Sequence, residues 1–364
     1  MPGPRDTRGF AAADRGLAPW LAAAALAASM SSCAPPSKPP PAVAAIEHAR
    51  VTMMGTEVNV TAVADDADVA KAAIKACLER MRGLERLLSW RLADSDVTHC
   101  NDRAAREPVE VAPETYEVLG HAIKFSQMTH GAFDVTVKPL VQLWKEAGSR
   151  QKPPTPEELA QAREAVGYEK IFLLPDLRAV RFHHPDTKID LGAIAKGYIV
   201  DRGLEALRKA GATAGLVVAG GDLATFGRRP GAGIWRVGIQ DPRKPESTEN
   251  IVDIINFNDM ACATSGNYRR YVEIGGKRYS HVVNPRTGLT EDAVPSVTVI
   301  APNATMADAL ATGLSVLGIE EGLKIIAGRQ EVQALFLSIE DGRIKMHESP
   351  GFAKYRAAPG KAGK

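Results

Sequence analysis

Aromatic residues are scarce. Phe, Trp and Tyr together make up 5% of the 364 residues, and no dense basic stripe runs alongside them. That excludes a nucleic-acid surface built from base stacking over a positively charged groove. An excess of one charge is also missing: 45 Lys and Arg stand against 43 Asp and Glu, a formal net charge of +2. Cysteine is rare, with Cys33, Cys77, Cys100 and Cys262 alone. No C-x-x-C spacing occurs, which excludes a zinc site by pattern and gives no support to a disulfide framework. A single pair such as Cys77–Cys100 stays open. Long apolar runs are lacking too. The stretch 17–28 is about a dozen residues, short of the roughly 20 that a bilayer span needs.

What remains is the composition of a folded protein, 45% hydrophobic and 24% charged. The length allows one large domain or two ordinary ones with a substantial core. The first residues differ from the rest. Arg5, Arg8 and Arg15 precede the short apolar stretch, M-S-S-C follows at 30–33, and then A-P-P-S-K-P-P-P. A basic start, a short apolar segment and small residues before a break describe an export signal at 1–33. Its end resembles a bacterial lipobox, with Cys33 as the lipidated residue. The alternative is an ordinary cleaved signal with an incidental cysteine. The Pro-rich segment 34–46 reads as an extended tether, 47–350 as one catalytic domain, and 351–364 as a flexible tail.

Within the domain, the residues from Arg50 alternate and are β-branched, predicting a strand pair or one long strand. Between Asp66 and Leu88, apolar residues fall at helical spacing, and a polar loop is expected after them. A second helix is predicted over 113–128, opened by a proline. Residues 149–158 read as a linker ending in a helix start, with Thr155 as the cap. A hairpin is expected from 168–174 and 178–182, a strand over 187–191 and a helix over 194–210. Strands follow at 215–219, 222–227, 234–239, 250–257, 270–274, 277–283 and 295–300. A helix over 306–317 and a closing strand pair, 331–339 and 342–347, complete the pattern. Strands and helices without a repeating βαβ unit predict an α+β fold.

Six stretches invite chemistry. In D-L-G-A-I-A-K-G, 190–197, everything between Asp190 and Lys196 is small or apolar. A strand, a small turn and a helix start aim free backbone N–H groups and the positive helix end at one point. Small residues let a phosphate approach, and Lys196 can meet it as a point charge. A plain helix start with a surface lysine reads equally well. In A-D-A-L-A-T-G, 307–313, Asp308 and Thr312 share one helix face and offer hard oxygens of the kind Mg²⁺ takes. Asp308 complementing the helix dipole, with Thr312 bonding back to a carbonyl, is the ordinary alternative. In G-A-F-D, 131–134, Phe133 can stack on a flat ring and Asp134 can accept from one, although a core phenylalanine is commoner. A-G-G-D, 219–222, permits close approach or unusual dihedrals. T-S-G-N-Y, 264–268, and Y-S-H-V-V-N-P-R-T-G, 279–288, are dense in turn formers. No nucleophile elbow surrounds Ser265, and a lone His281 is more often structural.

Taken in order, M-G-T at 54–56, S-W-R-x-x-x-S at 89–95 and these six motifs resemble the ApbE family over about residues 45–350. That family comprises periplasmic FAD:protein FMN transferases, often lipoproteins. The resemblance implies two packed mixed, largely antiparallel sheets with helices on the outer faces. It implies binding of FAD and Mg²⁺, transfer of FMN to a threonine or serine hydroxyl of a target protein, and release of AMP. The implied target is a flavin-accepting subunit of a membrane redox complex, reached from the periplasmic face through a lipid anchor. By motif position, the Ala193 carbonyl, Asp308 and Thr312 are the implied metal ligands. Met54, Trp90, Ala132, Phe133, Asp134, Asp190, Lys196, Ser280, His281 and Val283 are the implied FAD contacts. Lys196, Asp308 and Thr312 carry the implied chemistry. The sequence departs from the family at Trp90, where tyrosine is common, at Ala193, where glycine or threonine is, and at Asn267, where aspartate is frequent. Two rival readings share these residues: a Mg²⁺-dependent FAD pyrophosphatase, and a flavin-binding lipoprotein without chemistry.

Overall fold

The computed structural model describes residues 44–244, 249–266 and 271–357. The export signal, Cys33 and nearly all of the expected tether lie outside them. The described chain opens with a hairpin. β1 (Ala45–Met53) and β2 (Thr56–Ala64) pair through a two-residue turn, Met54–Gly55, with both residues at positive φ, 54° and 67°. This is the geometry whose twist matches the flanking strands. Glycine adopts it freely, whereas Met54 costs about 1–2 kcal/mol in it.

α1 (Ala67–Leu88) is capped by Asp66, which accepts from the amides of Asp68 and Val69. Its buried residues, Ala70 to Leu88, follow the predicted spacing. The expected polar loop is in fact a helix, α2 (Asp96–Arg103), capped by Ser95. Only Val97, Cys100 and Asn101 are buried in it, too few to register as a period. β3 (Val109–Glu110) and α3 (Pro113–Met128) come next, then α4 (Lys138–Arg150). α4 takes in residues 149 and 150, expected in the linker, because Leu140, Trp144 and Ala147 give it a face to bury. α5 (Pro156–Glu164) starts with the full capping box of Thr155 and Glu158.

β4 (Ile171–Leu174) and β5 (Ala179–Phe182) form the predicted hairpin, and β3 adds to β5. The strand expected over 187–191 is absent. Its hydrogen bonds go to side chains and loops instead: Ile189 exchanges two with the Asn101 amide, Thr187 Oγ1 donates to the Ala165 carbonyl, and the Asp190 amide donates to the Val135 carbonyl.

α6 (Ala195–Lys209), β6 (Ala214–Ala219), β7 (Asp222–Phe226), β8 (Trp235–Gln240) and β9 (Ile251–Phe257) follow. β10 (Ala261–Gly266) was not anticipated, since A-C-A-T-S-G has the small polar look of a turn. β11 (Tyr271–Ile274), β12 (Lys277–Ser280), β13 (Ser296–Ala301), α7 (Ala304–Ile326), β14 (Gln333–Glu340) and β15 (Arg343–Glu348) complete the chain order. α7 breaks at Gly318, φ 78°, directly after the predicted helix end.

The α+β class is realised around one eight-stranded sheet, ordered β1-β2-β6-β7-β10-β13-β14-β15. All seven of its pairings are antiparallel. α1, α6 and α7 pack on one face. On the other lies a second, smaller antiparallel sheet, the two-stranded ribbon β8–β9. The C-terminal residues belong to this layer. Phe352 is fully buried there, and Arg356 pairs with Asp253 and Glu348. Residues 351–357, expected as part of a flexible tail, are therefore structural. The site depends on one end of the sheet. The Met54–Gly55 turn, the Gly220–Gly221 turn and the C-terminal end of β10 meet there. The Gly220 amide donates to the Glu57 carbonyl, and the Thr264 amide to the Gly221 carbonyl.

Candidate functional site

At that end α6 begins without a side-chain cap from its own flank. The cap comes from α7: Asp308 Oδ2 accepts from the Gly197 amide at 3.0 Å. The two helices touch closely enough that a Cβ on Gly197 would lie 2.1 Å from the Ala304 carbonyl oxygen. Asp308 also lies 3.3 Å from Lys196 Nζ. Lys196 in turn donates to Asp222, the first residue of β7. One ammonium thus bridges two carboxylates that are 2% and 3% exposed.

The electrostatics follow from that burial. Burial alone would lower the Lys196 ammonium, but Asp222 and Asp308 outweigh it and hold Lys196 above its ordinary range. Burial and the repulsion of Asp308 push Asp222 up to about 7, against the pull of Lys196. With both acids ionised the cluster is one positive charge short. Beside it, Thr312 Oγ1 lies 3.2 Å from Ser265 Oγ on β10. The back-bond that Thr312 might have made to its own helix is replaced by this contact across to the sheet. Among the described residues no group of three or more His, Cys, Asp or Glu side chains could hold a metal. A cation here would therefore draw on the Asp308 carboxylate, the Thr312 hydroxyl and backbone carbonyls such as that of Ala193. These hard oxygens, beside a cluster lacking one positive charge, suit Mg²⁺.

The other expected residues sit as follows. Asp190 Oδ1 accepts from the Gly192 amide at 2.8 Å, closing the small turn that carries Ala193. Met54 has its amide held by Glu85 Oε1 at 2.7 Å. Trp90 is half-buried, with Lys138 Nζ 3.8 Å from its ring centroid. Both line a cleft of about 650 Å³ with Asn101, Asp102 and Lys188. Ala132 packs with Val282 and Val316, which joins the G-A-F-D turn to the Ser280–Val283 segment. In that segment Ser280 and Val283 are buried and His281 is exposed. Ser280 Oγ accepts from the Val282 amide.

Two expectations change. The Phe133 ring is 1% exposed and part of the main core, and its amide donates to Thr129 Oγ1, so ring stacking on a flavin is not what it offers. The Asp134 carboxylate accepts from the Thr136 amide and hydroxyl and from the Tyr168 amide. It is an anchor for its own chain, with burial pushing it up to about 6 against those bonds. The Cys77–Cys100 pair left open is not formed, and Cys77, Cys100 and Cys262 are free and buried. The structure also adds Asp222, which sequence reasoning had passed over. The glycine pair of A-G-G-D was its signal: a Cβ on Gly221 would lie 2.8 Å from the Thr264 carbonyl oxygen. Only a tight turn there brings Asp222 to the sheet end.

Comparison with known proteins gives a consistent picture. A family model described as the ApbE family matches residues 54–336. A protein of Vibrio cholerae named FAD:protein FMN transferase is 33% identical over 316 residues, covering 85% of this chain and 92% of its own. A protein of the same name from Haemophilus influenzae is 34% identical over 264 residues, covering 70% and 75%. The crystal structure of the ApbE protein of Thermotoga maritima superposes with a TM-score of 0.77 at 32% identity, covering 86% of this chain and 100% of that one. The flavin transferase ApbE of Vibrio cholerae does so at 0.72 and 32% identity, covering 86% and 99%.

Proposed function

The chain belongs to the ApbE family and is an FAD:protein FMN transferase, and from that premise we propose its finer chemistry: Mg²⁺-dependent transfer of FMN from FAD to a threonine or serine hydroxyl of a target protein, with release of AMP. The observation that carries this reading is the buried convergence of Asp222 and Asp308 on Lys196 at an α6 start whose cap comes from another helix.

The acceptor hydroxyl oxygen attacks the phosphorus of the FMN half of the pyrophosphate. A new P–O bond forms, the bridging P–O bond breaks, AMP leaves with the bridging oxygen, and the hydroxyl proton passes to solvent. Such a displacement asks the protein mainly for positioning and charge neutralisation. Lys196 meets the pyrophosphate as a fixed cation, because two carboxylates hold it in place. The small turn 192–193 lets the phosphates approach backbone, and the positive end of α6 faces them. Asp308, Thr312 and the Ala193 carbonyl would hold Mg²⁺, which when bound supplies further neutralisation of the pyrophosphate charge. Asp190, Met54, Trp90, the 132–134 turn and Ser280–Val283 border the flavin nucleotide. The N-terminal pattern supports export and anchoring at Cys33 on the periplasmic face, where a flavin-accepting subunit of a membrane redox complex is the partner.

The test uses the chain from residue 42 with FAD, Mg²⁺ and an acceptor domain carrying a flavinylatable threonine, read by intact mass. The acceptor should gain one FMN with the wild type and none with Asp308→Ala. An acceptor left bare while FAD is split to FMN and AMP would replace transfer with hydrolysis, and FAD left whole would overturn the mechanism.

A further inference from the structure

Lys196 and Asp308 lie on different helices, so their juxtaposition depends on how α6 and α7 are locked together. We propose that Asp201 is the positioning residue that sets this register, a role that rests on the reading of Lys196 and Asp308 given above. Asp201 lies on α6, one helical turn beyond Gly197 and on the same face. Its carboxylate accepts three hydrogen bonds from the start of α7. Oδ1 takes the Ala304 amide at 2.7 Å, and Oδ2 takes the Thr305 amide at 2.8 Å and the Thr305 hydroxyl at 2.5 Å.

One turn earlier, Gly197 meets the same point on α7 from below. A Cβ there would fall 2.1 Å from the Ala304 carbonyl oxygen and 2.9 Å from the Asp308 Cβ. The first turn of α7 is thus held from two sides, by hydrogen bonds to Asp201 and by steric contact with Gly197. The reciprocal bond runs back, Gly197 amide to Asp308 Oδ2. Asp201 and Asp308 each satisfy orphan amides at the other helix's start, so sliding one helix breaks both sets together. Asp201 is partly buried, and burial raises its carboxyl above the usual range against those bonds. It therefore sits there at a cost that its partners on α7 offset. Asp201 itself makes no hydrogen bond to Lys196, whose partners are Asp222 and Asp308.

An internal control exists. Asp96 on α2 holds the start of α3 in the same manner, accepting from the Ala112 amide and the Thr115 hydroxyl, and it lies on neither of the helices that carry Lys196 and Asp308. The experiment compares wild type, Asp201→Asn and Asp96→Asn in the chain from residue 42. Two readouts are taken: exchange of the Gly197 amide in nitrogen-15 glycine-labelled protein, and kcat for FMN transfer at saturating FAD. An amide side chain offers one acceptor oxygen in place of two. For Asp201→Asn we expect Gly197 exchange to rise and kcat to fall, each on the order of tenfold or more, as small misplacements of reacting groups do. In an Asp308→Asn background, Asp201→Asn should lower kcat little further, because one pathway is lost once. Asp96→Asn should lower the melting temperature with both readouts near wild type. Unchanged Gly197 exchange in Asp201→Asn, or a kcat loss that multiplies fully with Asp308→Asn, would overturn the assignment. If the wild type transfers no FMN, the mechanism above fails while the exchange arm still decides whether Asp201 sets the register.

Discussion

The two faces of the eight-stranded sheet are built on opposite plans. Toward the helices the strands around the site present Ala219, Ala224, Ala261, Ala263, Ala301 and Ala334, with Val217, Phe226, Val299 and Phe336 filling the rest of the face, and the same face carries Asp222 and Ser265 at its end. Toward the ribbon they present Leu223, Cys262, Ile300, Leu335 and Leu337, closed by Ile239, Ile255, Phe257 and Phe352. Alternate residues of the same strands supply both. Small residues on the helix side let α6 and α7 settle close to the sheet, and closeness is what brings three charged groups into one cluster. Large residues on the ribbon side bury area, and the charged groups at their border, Arg356 with Asp253 and Glu348, are paired with one another. One layer is therefore shaped for chemistry and the other for stability.

That contrast can be broken from either side. The largest effect is expected on the helix face. Lys196→Met removes the cation between Asp222 and Asp308 and should lower kcat/KM by about a thousandfold, in the range seen when one preorganised charge-stabilising group is lost. Steady-state flavinylation kinetics would check it, and a loss below tenfold would deny the residue its role.

On the ribbon face, Phe257→Ala should cost about 3–5 kcal/mol of unfolding free energy in urea, the usual range for a buried phenylalanine. Turnover per folded molecule should stay near wild type. A parallel loss of kcat would mean that the two faces are not independent.

The smallest expected effect concerns pH. Asp134 is raised by burial to about 6, so its contribution to stability is present below about pH 4, its ordinary range, and is lost as pH rises through 6. A shift of about two units corresponds to roughly 3 kcal/mol. Asp134→Asn has no such titration. Its destabilisation relative to wild type, from urea unfolding at a series of pH values, should shrink by up to that amount between pH 4 and pH 7. A constant difference would mean that Asp134 is not raised.

Much of this was legible from residues alone. Thr155 caps the helix it was expected to cap, because its bonds are local and need no partner beyond the first turn. The end of the 306–317 helix was readable for a similar reason, with Gly318 at φ 78° directly after it. β10 escaped notice because its small residues carry no alternation of size, and its strand character comes from β7 and β13 on either side. α2 went unseen because a helix with three buried residues has no period. In the site, Lys196, Asp308 and Thr312 could be named from motif order. Asp222 could not be placed with them, since 26 positions, with the rest of α6 and the strand β6, separate it from Lys196 in the chain. Phe133 was misjudged in the opposite sense, because a ring that suits stacking also suits a core.

One further consequence follows from β1. It is an edge strand of nine residues, about 30 Å long at the usual rise. Ala45 pairs with Ala64 at one end, and Met53 pairs with Thr56 beside the site at the other. Fraying that starts at Ala45 opens this hairpin rung by rung from the remote end. The rungs beside Met54, whose amide Glu85 also clasps, are the last to part. Loss of order at that end is thus spent a full strand length from the chemistry.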